Sequence, residues 1–368
     1  MAVEGRKADA LERIAVYLDG LPQAPPSIRD PFEEGRRLEG EYKYREAIKK
    51  YQSAFQPQTT ASNRAALHIL IGNCFARISE LDEALGHYRQ AEHEAEEAAD
   101  NKGLAAALGN MGNIHSIKGE LDTALSHHQQ ALAINRIIGR KGGEAIQLGN
   151  IGNTHSIKGE LDTALSHYQQ ALAIDREIGS KEGEAADLDN MGIIHMIKGE
   201  LDTALSHHQQ ALDIRRERGD KGKEGVANTL CNIGIIYKIK GELDTALSLY
   251  QQALDIHRKI GHKEGEAADL GNMGTIYQIK GELDAALAHY QQALDIFREI
   301  GSKVGEANAL GNMGIIYSDK GQPKKALEYL GQALDIFTQI GATIEIAQTE
   351  HNIQDIKRRM EHSDDTER

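Results

Sequence analysis

Asparagine and histidine dominate the chemistry this chain could offer, and both recur at fixed places. One asparagine series is Asn110, Asn150, Asn190, Asn232, Asn272 and Asn312; a second is Asn73, Asn113 and Asn153. A side-chain amide carries donors and an acceptor, so a row of them suits pairing with another chain's backbone without reading its sequence. The competing reading is that the amides bridge neighbouring helices. Histidine forms three series: His115, His155 and His195; His127, His167, His207 and His289; His128 and His208. Paired imidazoles suggest zinc. But sequence neighbours on a helix point about 100° apart, and members of a series stand a repeat apart, so neither pattern gathers a tetrahedral set. No metal and no cofactor is expected. Glu120, Asp122, Glu160 and Asp162 sit where helices begin, where acid favours the dipole, and not as facing acid–base pairs. Gly-rich stretches such as Lys141-Gly142-Gly143-Glu144 follow no strand and match no phosphate-loop pattern. G-x-S-x-G and H-E-x-x-H are absent, and neither Cys74 nor Cys231 has a nucleophile's context, so no catalysis is expected.

These residues belong to a repeat. A glycine in the triplets N-M-G or N-I-G marks it at Gly112, Gly152, Gly192, Gly234, Gly274 and Gly314, 40 residues apart except for 42 between Gly192 and Gly234. Gly72 continues the series upstream, and a divergent unit fits at Gly35, giving eight units. Within a unit, Leu108, Met111, Ile114 and Ile117 keep the spacing of one helical face, and Lys118-Gly119 ends that helix. A second helix opens at Glu120-Leu121-Asp122, buries Leu121, Ala124, Leu125, His128, Ala131, Leu132 and Ile134, and closes at Gly139. Apolar residues nowhere alternate, which excludes strands. The expected organisation is an N-terminal helix and Pro-rich link over 1–27, an array over 28–341, a capping helix over 342–360 and a flexible tail over 361–368.

The small residues carry a resemblance. Gly112, Ala124 and Ala131 permit close helix approach and Gly119 turns the corner. His115 and His128 share their slots with Tyr237, Tyr250, Tyr277, Tyr290 and Tyr317 of later units. The chain resembles tetratricopeptide-repeat proteins, and its 40-residue period is similar to the repeats of the Partner-of-Inscuteable (LGN) scaffold family, without that family's GoLoco segments. The resemblance implies an all-α, right-handed superhelical solenoid of about eight helix pairs with a C-terminal capping helix. It also implies a concave groove, lined by the first helices, that contacts peptide backbone.

Second helices barely change between copies, whereas first helices do. One residue after the marker glycine stand Asn73, Asn113, Asn153, Ile193, Ile235, Thr275 and Ile315; four after it, from Gly112 on, stand Ser116, Ser156, Met196, Lys238, Gln278 and Ser318. With the first asparagine series, these predict a groove that is amide-rich early and more apolar from Gly192 onward.

Composition narrows the partner. The formal net charge is −14, with 42 basic and 56 acidic residues and no long basic cluster, which argues against nucleic acid. There is no 18-residue apolar run for a membrane span and no secretory-signal pattern at the start. Two distant cysteines suit a reducing compartment. The expectation is a cytoplasmic, non-enzymatic scaffold that binds a protein or peptide, with self-association through the array ends as a further route to assembly. The alternative is a sensor subunit that binds a small signalling peptide and changes superhelical pitch.

Overall fold

The structure, a computed structural model, describes residues 25–41 and 43–366, with side chains left out at 220–221 and 362–366. The expected N-terminal helix lies outside the described residues. Among those described, seventeen α-helices and no strand occur. The chain divides into two compact units, residues 1–198 and 199–368. The first holds α1 (Pro26–Gly40), α2 (Tyr44–Ser53), α3 (Ala61–Arg77), α4 (Leu81–Glu97), α5 (Asn101–Ile117), α6 (Leu121–Ile137), α7 (Lys141–Ile157), α8 (Leu161–Glu177) and α9 (Lys181–Ile197). The second holds α10 (Leu201–Glu217), α11 (Lys223–Ile239), α12 (Leu243–Ile260), α13 (Lys263–Ile279), α14 (Leu283–Ile300), α15 (Lys303–Asp319), α16 (Pro323–Ile340) and α17 (Thr343–Thr366). Within each unit consecutive helices pack as antiparallel neighbours, and successive first helices, α3·α5·α7·α9 and α11·α13·α15·α17, also touch.

Two glycine devices build the pair. The marker glycine lies under a ring from the second helix: a Cβ on Gly112 would sit 2.6 Å from His128, and one on Gly152 2.7 Å from Tyr168. The turns need left-handed backbone, which Gly119 and Gly139 supply at φ of 79° and 67°. Ala124, Ala131, Ala164 and Ala171 are fully buried, so the second helix packs closely on both sides. Along one edge an ion-pair ladder ties each turn to the preceding second helix. Lys118–Asp82, Lys158–Asp122 and Lys198–Asp162 lie in the first unit; Lys240–Asp202, Lys280–Asp244 and Lys320–Asp284 lie in the second. Exposed pairs of this kind stabilise by at most about 1 kcal/mol each, so the buried alanine and ring contacts dominate. The last helix differs from expectation. It runs to Thr366, past Met360, because no glycine or proline in 361–366 stops it.

Candidate functional site

The asparagine rows fall in different environments in the two units. In the first, Asn73, Asn110, Asn113, Asn150, Asn153, Asn190, Ser116 and Ser156 are all buried, between 1 % and 9 % exposed. Their partners lie inside the array. Asn73 Oδ1 accepts from Tyr88 OH at 2.9 Å and from Asn110 Nδ2 at 3.2 Å, which joins α3, α4 and α5. Asn153 Oδ1 accepts from Tyr168 OH at 2.6 Å. Ser116 Oγ meets Thr154 Oγ1 at 3.1 Å, from α5 to α7. Among the described residues, Asn113 Nδ2 and both amide atoms of Asn150 are buried without a hydrogen-bond partner. Burial leaves these eight positions little side-chain surface to offer a partner. The amides and hydroxyls sit within the packed interior, and the bonded ones tie helices together. Ile193 alone of the first unit's predicted residues stays half-buried.

In the second unit the same slots remain accessible. Asn232, Ile235 and Lys238 on α11, Asn272, Thr275 and Gln278 on α13, and Asn312 and Ile315 on α15 are all half-buried. Thr275 Oγ1 pairs with Tyr290 OH at 2.9 Å, and Gln278 Nε2 donates to Asp319 Oδ2 at 3.2 Å, bridging α13 and α15. Burial lowers the Lys238 pKa from the ordinary lysine range. An ammonium in that state gains from any acid brought beside it.

The histidines form stacked pairs at the helix corners. His115 lies on His127 with centroids 5.2 Å apart, and His155 on His167 at 5.4 Å. Tyr277 on His289 and Tyr317 on Tyr329 repeat the arrangement at 4.8 and 5.1 Å. His127 and His128 face different neighbours, since His128 is buried under Gly112 and bonds Gln147 through Nδ1 at 3.0 Å.

One row escaped the sequence reading. Asn135, Asp175, Arg215 and His257 are buried near the ends of second helices otherwise nearly invariant. Arg215 donates to Thr229 Oγ1 at 2.5 Å, and His257 Nδ1 lies 2.7 Å from Asp269 Oδ2, whose other oxygen accepts from Cys231 Sγ at 2.8 Å. Burial raises the Asp269 pKa and the Cys231 pKa. A thiol held neutral in this way is not a nucleophile at neutral pH. The signal was present as a buried slot that changes on an otherwise copied helix.

Paired helices, glycine corners and alanine seams define a helical-repeat protein. A family model described as tetratricopeptide repeat matches residues 103–177, 184–259 and 266–339. These cover more than half of the chain, which belongs to the tetratricopeptide-repeat family. No curated protein matches the chain. Among solved structures, the fold is similar to three proteins. BtubC (BKLC) from P. vanneervenii has 19 % identity and a TM-score of 0.53, covering 60 % of this chain and 92 % of that one. Apo RapI has 18 % identity and a TM-score of 0.57, covering 76 % and 99 %. A Rap protein complexed with competence and sporulation factor has 13 % identity and a TM-score of 0.56, covering 91 % and 98 %. None of the described helices is long and apolar enough to cross a membrane.

Proposed function

We propose that the chain is a non-enzymatic interaction module. The first-helix face of residues 199–368 holds a segment of a partner protein or a peptide. The observation that carries this reading is the contrast between the two units. The stripe is buried from Asn73 to Asn190, yet α11, α13 and α15 keep amides, Ile235, Ile315 and Lys238 accessible. Alternating amide and apolar positions suit an extended or helical segment whose backbone pairs with Asn232, Asn272 and Asn312 while apolar side chains meet the isoleucines. The repeats of the Partner-of-Inscuteable scaffolds, which the 40-residue period resembles, support the same reading. The experiment is affinity capture followed by titration of the captured partner. Ile235→Asp with Ile315→Asp should weaken binding at least tenfold, about 1.4 kcal/mol, with helicity unchanged. The pair Asn113→Ala with Asn153→Ala should leave binding within twofold. Equal affinity for wild type and the isoleucine variant would sink the face assignment.

Similarity to a Rap protein solved with competence and sporulation factor supports a second reading, a sensor that binds a small signalling factor. A ligand-induced change in radius of gyration by solution scattering favours the sensor. An unchanged radius with ligand bound favours the scaffold.

A further inference from the structure

The second helices are close to copies. Residues 121–137, LDTALSHHQQALAINRI, and 161–177, LDTALSHYQQALAIDRE, differ at three places. Such units could pair out of order, because most of the surface each presents is the same. One inward slot near the end of this helix changes from copy to copy through α14, and α16 then repeats α14 with Phe337. The slot holds Asn135 in α6, Asp175 in α8, Arg215 in α10, His257 in α12 and Phe297 in α14.

The following helix meets each of them with the same backbone device. A Cβ on Gly143 would lie 2.1 Å from Asn135, on Gly183 2.0 Å from Asp175, and on Gly225 2.4 Å from Arg215. On Gly265 it would lie 2.6 Å from His257, and on Gly305 2.2 Å from Phe297. A constant glycine clears the space, and in three of the joints a residue one turn later completes the contact. That residue is Thr229 for Arg215, Asp269 for His257, and Ala309, in the apolar cluster against which Phe297 packs. Exchanged pairings are unfavourable. His257 against Ala309 loses its acceptor, and Asp269 against Phe297 is a buried carboxyl without its imidazole.

We infer that this slot is a register code. The Arg215, His257 and Phe297 joints each recognise their own neighbour and reject the others, which keeps near-identical units from pairing out of order or with a second copy of the chain. The partner excluded is the chain itself, and the inference is independent of what the first-helix face binds.

The test makes two joints alike. His257→Phe with Asp269→Ala in the full chain copies the Phe297/Ala309 joint into α12–α13. After refolding from urea, this variant should keep its helicity by circular dichroism. It should also form dimers and larger species at a several-fold greater fraction than wild type by size exclusion with light scattering. A second variant adds Phe297→His and Ala309→Asp, which exchanges the two pairs and makes the joints distinct again. It should return to the wild-type distribution. The inference is overturned if the first variant refolds with the wild-type distribution, or if the exchange variant self-associates as strongly as the first. Loss of helicity in the first variant also overturns it, because the pair would then serve its local fold rather than tell joints apart.

Discussion

His128 stands where other units place Tyr88, Tyr168, Tyr250 and Tyr290, and the exchange of ring carries a pH cost. It is 1 % exposed, and burial pushes its pKa down to about 4, with the Gln147 bond opposing. The unfolded chain takes the proton near 6.5, while the folded site refuses it until about pH 4. The stability is therefore complete above pH 6.5 and is lost as pH falls toward 4, up to about 3 kcal/mol for this one group. His128→Tyr should flatten that limb, because Asn113 is placed to accept from the tyrosine OH as Asn153 does from Tyr168. Denaturation at pH 7.5 and 4.5 measures it, and an equal loss in both proteins would refute the account. Backbone makes a second case. Where later units turn on glycine, Ser79 and Ala99 hold φ of 62° and 53°. Ala99→Gly should raise stability by about 1 kcal/mol, because a Cβ is costly in that region. A chemical-denaturation midpoint at or below wild type would contradict it.

Helix by helix, the element pattern was legible because period, glycine corners and alanine seams are local. What was not legible is how closely successive first helices sit. Asn113 and Ile235 share one slot, yet the first is buried and the second half-buried, a difference set by neighbours outside the repeat. The same holds for connections. At four connections the turn into a first helix is clamped: Glu144 meets Arg136, Glu184 meets Arg176, Glu266 meets Arg258 and Glu306 meets Arg298, all at 2.8 to 2.9 Å. Lys141, Lys181, Lys263 and Lys303 close the other side of each glutamate. Between α10 and α11 the glutamate is replaced by Val226, and the connection, two residues longer, holds a 3-10 turn, Gly219–Gly222. Limited trypsin should therefore cut first among residues 215–223, read by intact mass. First cuts at Arg140 or Lys141 would show that the clamps do not govern local opening.

At the scale of the whole molecule, each helix pair buries its apolar face only against its neighbours, so stability should be a sum of local terms and not one shared core. The C-terminal end is the place to test this. Ala326, Leu330 and Ile356 form one buried cluster, with Ile353 and Met360 packed against it, and Phe337 is 4 % exposed in the adjoining one. Ending the chain after Gly341 removes α17 and uncovers this face. Four apolar side chains at about 1.5 kcal/mol each, less what the shortened end recovers by relaxing, give a loss of about 4 kcal/mol. In a nearest-neighbour array the loss stays near the cut. Amide exchange should accelerate in α15 and α16 by about two orders of magnitude or more, while α5 and α6 keep their wild-type rates. Uniform acceleration from α3 to α16 would instead mean that the array opens as one cooperative block. The packing of each joint would then matter less than the continuity of the whole.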